Sequence, residues 1–180
     1  MATPLSAMAA VQPNELSVGN RLSALAPQPQ AQPVNPIEQE YFGRLETDYP
    51  GLVAEYQRLI ESDEGRTLNT DVARELSPHY RSDRTKSADV HEPSSAFVKR
   101  LYAEKLSKPT PKDRDATVIF TAGGTGAGKT TGMEVVKGVN KNAGRAEIVY
   151  DTNMNKFESA DKKIKQALDA GRKVHILYKI

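Results

Sequence analysis

Gly123, Gly124, Thr125, Gly126, Ala127, Gly128, Lys129 and Thr130 fit the spacing G-x-x-x-x-G-K-[ST]. Glycines at these positions let the backbone curl, so that successive N–H groups point at one set of anionic oxygens. A helix expected over 129–138 turns its positive N-terminal end toward the same anion. Lys129 is then placed to reach β- and γ-phosphates, the Thr130 hydroxyl to hold Mg²⁺, and Thr131 closes the loop. The chemistry implied is the binding of a nucleotide's phosphates.

A second acidic candidate stands at the end of "EIVYD". The run over 146–150 reads as an apolar strand, and Asp151 closes it. A carboxylate there could support Mg²⁺ or bind substrate; an ordinary helix-capping aspartate has the same position. A third group lies upstream in "NTDVARELSPHY". A short strand is expected over 67–70, with Asp71 at its carboxyl end and Arg74 one helical turn later. The plain alternative is that Asp71 and Arg74 cap and decorate a surface helix.

The elements that must position these groups follow from periodicity. The apolar residues Val118, Ile119 and Phe120 mark a strand over 116–121 that leads directly into the glycine loop. Phe157, Ala160, Ile164, Ala167 and Leu168 recur at helical spacing, with Glu158–Lys162 and Asp161–Lys165 as i,i+4 charge pairs and Gly171 as a stop. A last strand is expected over 174–178. Strand–helix–strand–helix–strand predicts an α/β fold with a parallel sheet flanked by helices.

Upstream, Ile37, Tyr41, Leu45 and Tyr49 recur every four residues, Pro50-Gly51 interrupts, and Leu52, Tyr56, Leu59 and Ile60 form a second stripe. Val72 to Leu76 reads as a helical turn stopped by Pro78. "RSDRTKSADVHE" reads as a loop, with Arg81, Arg84 and Lys86 on a solvated face. Pro93 suits the first turn of a helix whose apolar face is Phe97, Leu101 and Tyr102.

Residues 1–36 carry Glu15 and Arg21 as their only charges and include "APQPQAQPVNP". Such a stretch buries too little apolar surface to offset its ordering entropy. The organisation expected is a disordered Pro/Gln-rich tail over 1–36, a helical region over 37–108, and a phosphate-loop core over 115–180.

With 25 Lys+Arg against 23 Asp+Glu, the 180-residue chain has a formal net charge of +2 and no long single-sign run, which argues against a nucleic-acid partner. The absence of cysteine excludes disulfides and thiolate metal sites. His79, His91 and His175 lack metal-ligand spacing and read as surface or packing residues. No apolar run approaches the roughly 20 residues that span a bilayer, and the start lacks a signal-peptide pattern, so a cytoplasmic protein with no membrane partner is expected.

The stretch 66–178 resembles the zeta-toxin family of P-loop kinases. The resemblance is carried by "GGTGAGKTT", by "VYDTNMNKFESADKKIKQALDAGRKVHILY", and by "NTDVARELSPHY". It implies a P-loop kinase-like sheet, ATP and Mg²⁺ as cofactors, and transfer of the γ-phosphate to UDP-N-acetylglucosamine, with an antitoxin protein as partner. Asp151-Thr152-Asn153 occupies the place of the family's acid-Gly-Thr element, which implies Asn153 as a substrate-binding residue. Asp71 falls on the second acid of the substrate element, implying a general base toward a sugar hydroxyl, and Arg74 falls on its basic position.

The pattern also departs from the family. Asn69 stands where the first acid belongs, and Ser77 where a His belongs. The substrate element precedes the loop instead of following it. The sequence stops at Ile180 where the family continues with a lid bearing arginines, so a C-terminally incomplete core is expected, with Arg145 or Arg172 as candidate substitutes. A nucleotide-binding switch or interaction module without catalysis is the alternative reading.

Overall fold

The computed structural model describes residues 35–122, 144–151 and 157–178. Residues 1–34 of the tail expected over 1–36, the glycine loop from Gly123 to Thr131, the helix expected over 129–138, and Asn153 lie outside the described residues, while Asn35 and Pro36 already belong to the start of a helix.

Two helices open the described chain. Helix α1 (Pro36–Thr47) starts on Asn35, whose side chain accepts from the Ile37 N–H at 3.0 Å. Helix α2 (Tyr49–Arg58) follows after a single residue, Asp48. The break therefore falls at Asp48 and not at Pro50-Gly51. Asp48 ends α1 through its own N–H on Arg44 O, and its carboxylate caps α2 by accepting from Gly51 N–H at 3.2 Å. Pro50 fits because a first-turn residue has no helical N–H partner to lose. A Cβ at Gly51 would collide with the capping carboxylate.

Strand β1 (Thr67–Asn69) leads into the one-turn helix α3 (Thr70–Ala73) and a 3₁₀ turn (Arg74–Leu76). Pro78 does not simply stop this helical stretch. It begins a further short helix, α4 (Pro78–Ser82), for the same reason that Pro50 is tolerated in α2. The segment expected as loop contains a 3₁₀ turn (Arg84–Ser87), capped by Asp83 accepting from Thr85 N–H at 2.9 Å. Helix α5 (His91–Ser107) carries Pro93 in its first turn and buries Phe97, Leu101 and Tyr102.

Strand β2 (Asp115–Ala122), strand β3 (Ala146–Asp151), helix α6 (Phe157–Asp169) and strand β4 (Lys173–Tyr178) complete the order. Gly171, with φ 75°, takes the left-handed conformation that ends α6. Among the described residues the sheet has four strands in the order β1-β3-β2-β4, and every pairing is parallel. The fold is thus α/β with a parallel sheet and flanking helices. The boundary expected between 37–108 and 115–180 does not divide the sheet, because β1 from the first stretch pairs with β3 from the second.

The main core joins helices to one sheet face. Tyr41, Leu45, Leu52, Tyr56, Phe97 and Tyr102 meet Leu68, Val118, Phe120, Ile148 and Tyr150. Tyr102 stands edge-on to Tyr150, with centroids 5.0 Å apart, and Phe120 stacks on Tyr150 at 5.8 Å. A smaller cluster of Ile119, Ala146 and Val149 is also buried. The central strands are therefore apolar on both faces, as parallel strands usually are. One expectation fails on α6: Ala167 is buried, but Phe157 is 82% and Leu168 53% exposed, so the apolar stripe is narrower than its spacing suggested.

Arg145 and Arg172 sit at the amino-terminal edge of the sheet. Arg145 pairs with Asp115 at 3.2 Å, and Arg172 grips the buried Glu147 through Nε and Nη2, each at 3.1 Å. Both belong to the edge opposite the strand ends that lead to the glycine loop. Neither substitutes there for a lid arginine.

Candidate functional site

Three strands end side by side. The register pairs Asn69 with Asp151 and Thr121 with Asp151, so the last residues of β1 and β3 and the penultimate residue of β2 form a row. In parallel α/β sheets the crevice beyond the carboxyl ends of the strands is where ligands bind. In the sequence Gly123 directly follows Ala122, the last residue of β2 at this edge.

Asp151 is half-buried at the centre of the row. Thr121 Oγ1 donates to its Oδ1 at 2.5 Å, and Asn69 Nδ2 donates to its Oδ2 at 2.6 Å. The two hydrogen bonds, one to each oxygen, fix the plane of the carboxylate. The other end of the Asn69 amide caps α3: Oδ1 accepts from Asp71 N–H at 2.6 Å and from Val72 N–H at 3.4 Å. An acid at position 69 could make the cap but not donate to Asp151. That accounts for asparagine where the resemblance led to the expectation of an acid.

Tyr56 anchors the strand beneath. Its hydroxyl donates to Thr67 O at 2.8 Å and accepts from Asn69 N–H at 3.0 Å. Burial raises its pKa well above the ordinary phenol value, so it stays a donor as well as an acceptor. Helix α1 holds the residues that follow. Tyr41 donates to Ala73 O at 2.7 Å, and Arg44 Nη1 donates to Leu76 O at 2.9 Å, which satisfies carbonyls that a one-turn helix leaves open.

Asp71 and Arg74 come together at 3.1 Å between Oδ1 and Nη2. The Asp71 side chain is 68% exposed, while the Arg74 side chain is largely covered at 18%. Arg74 also donates from Nη1 to Ser87 Oγ at 2.9 Å, and its Nη2 lies 3.1 Å from His91 Nδ1. Its Nε is buried and has no hydrogen-bond partner among the described residues.

The Asp71 and Arg74 pair and Asp151 are therefore linked by one side chain, Asn69. Sequence reasoning missed Asn69 as the bridge, Thr121 as the second donor, and Ser87 and His91 as the supports of Arg74. The Asn-Thr-Asp start of a helical turn was the available signal for Asn69, because an asparagine before a helix is a usual cap. Thr121 had the signal of standing just before the loop; Ser87 and His91 had none.

Among the described residues no cluster of three His, Cys, Asp or Glu side chains could hold a metal ion. A magnesium site of the phosphate-bound kind needs only one or two protein oxygens, and Asp151 would supply one carboxylate. Among the described residues no helix is long and apolar enough to cross a membrane. No protein-family model matches this chain, and no curated protein matches it.

Proposed function

We propose that the chain is an ATP-dependent kinase of zeta-toxin type, transferring the γ-phosphate to a hydroxyl of a small acceptor such as UDP-N-acetylglucosamine. The observation that carries this reading is the juxtaposition of β1, β3 and β2 at their carboxyl ends. The changed chain order does not separate the acceptor element from the strand that leads into the glycine loop. Asn69 joins that element to Asp151, and Thr121, on the loop's own strand, holds the other Asp151 oxygen.

In this reading the loop from Gly123 to Thr131 binds the phosphates, with Lys129 on the transferred group. Thr130 and Asp151 would hold Mg²⁺, which would supply charge neutralisation to the bound phosphates. Arg74 attracts the acceptor's anionic part and Asn153 contacts the acceptor. Asp71 accepts the proton of the attacking hydroxyl as the new O–P bond forms and the bond to the β,γ-bridging oxygen breaks. Asp71 is exposed enough to meet an acceptor, and its pairing with Arg74 orients it.

The test has two stages. Calorimetry should register Mg²⁺·ATP binding to the chain and its loss in Lys129→Ala. Phosphotransfer to UDP-sugars should then fall by about 10²–10⁴-fold in Asp71→Asn, the usual scale for a general base. ATP binding with no transfer to any hydroxyl acceptor would instead support the non-catalytic nucleotide switch. A folded chain that does not bind ATP would remove both readings.

A further inference from the structure

Arginine has only donors, so a nitrogen that takes a hydrogen bond from it must carry a bare lone pair. His91 Nδ1 lies 3.1 Å from Arg74 Nη2. The ring is therefore neutral in this arrangement, with its hydrogen on Nε2. A proton on Nδ1 would set N–H against N–H and one cation against another.

We propose that His91 is a positioning residue for Arg74, and that protonating its ring releases the arginine and loosens the acceptor element. The remaining holds on Arg74 are few. Ser87 Oγ takes Nη1, Asp71 Oδ1 would be left alone on Nη2, and Nε has no partner among the described residues. Arg74 reaches His91 from the turn after α3, and Asp71 stands behind it. Lys86 and Asp89, paired with each other at 3.9 Å, lie on the turn before the ring, and Glu92 follows it on α5. With Nη2 no longer held by the ring, Asp71 is paired to an arginine with one fixed hold fewer, so one proton on His91 reaches the proposed base through the arginine.

The functional half of this inference rests on the kinase reading, and the structural half does not. Two substitutions separate the effects. His91→Gln keeps an oxygen that can accept from Arg74 at every pH. His91→Phe fills the space and accepts nothing. In the full chain, ring ¹⁵N shifts at about pH 8 should report the tautomer with hydrogen on Nε2. Between about pH 8 and about pH 5 the acceptor KM should rise about tenfold more in the wild type than in His91→Gln, the scale of one lost hydrogen bond. ATP affinity should not follow. His91→Phe should show the raised KM at both pH values.

If the chain transfers no phosphate, the kinase reading fails separately and the same comparison is read from amide exchange over residues 70–76. Corrected for intrinsic rates, exchange should quicken about tenfold in acid in the wild type and not in His91→Gln. A ring carrying its hydrogen on Nδ1 at about pH 8, or an equal acid response in His91→Gln, overturns the proposal.

Discussion

Asn69 Nδ2 donates to Asp151 Oδ2 at 2.6 Å, while Oδ1 of the same amide accepts from the Asp71 N–H at 2.6 Å. One side chain thus ties the end of the central strand β3 to the first turn of α3. Asn69→Asp keeps the cap but faces one carboxylate with another. Stability should fall by about 1–3 kcal/mol near neutral pH, and the loss should shrink in acid as the two carboxylates share a proton. Urea unfolding at two pH values measures it. An unchanged midpoint would mean that the bridge contributes nothing.

Tyr56→Phe removes a hydroxyl that both donates and accepts on β1. The ring stays, so apolar packing is kept, but the part-buried Asn69 N–H and Thr67 O lose their partner. The expected cost is about 1–3 kcal/mol. Hydrogen exchange should show the loosening first at β1 and not at β2.

Arg172 and Glu147 form a closed pair, with side chains 9% and 5% exposed, and Thr110 donates to the same carboxylate at 2.8 Å. Arg172→Ala leaves a buried charge without its partner and should cost about 3–5 kcal/mol. Adding Glu147→Gln should restore part of that loss, since the stranded charge is then gone. A double variant as unstable as the sum of the two single ones would show that the pair does not act as a unit.

Alkali should unfold the protein through its tyrosines. Burial pushes the Tyr150 phenol up to about 12, and raises Tyr41, Tyr56 and Tyr102 as well. The unfolded chain releases these protons first, near pH 10 or about that value. The stabilisation is fully present below that pH and is lost as pH climbs toward the folded values. Each such tyrosine steepens the decline by about 1.4 kcal/mol per pH unit. Thermal melts across that range should show the fall, and Tyr150→Phe should lessen it.

The parallel sheet was legible because β2, β3 and β4 are short apolar runs bounded by glycine or charge, and each is followed or preceded by a helical pattern. Even the three residues of β1 were readable from Thr67 and Leu68. Helix starts at Pro78 and the break at Asp48 were less so, because proline both ends and begins helices and only the cap decides which. Of the candidate site, Asp71, Arg74 and Asp151 were visible as charged residues at strand and helix ends. Their ties were not, because Asn69, Thr121, Ser87 and His91 act through contacts across long stretches of chain. Phe157 and Leu168 misled for a related reason: periodicity gives a face, and only the neighbouring elements decide how much of it is covered.

The two halves of the Asn69–Asp151 tie lie 82 residues apart in the chain. Closing so long a loop costs entropy before any contact rewards it, so such pairings form late in folding. As the polypeptide is synthesised, Asn69 and the turn behind it emerge well before their partner strand exists. Helices α1 and α2 can shelter them meanwhile through Tyr41, Arg44 and Tyr56. The proposed acceptor element is thus completed only when β3 arrives, and a nascent chain stalled before Asp151 holds that element without the carboxylate it is built to face.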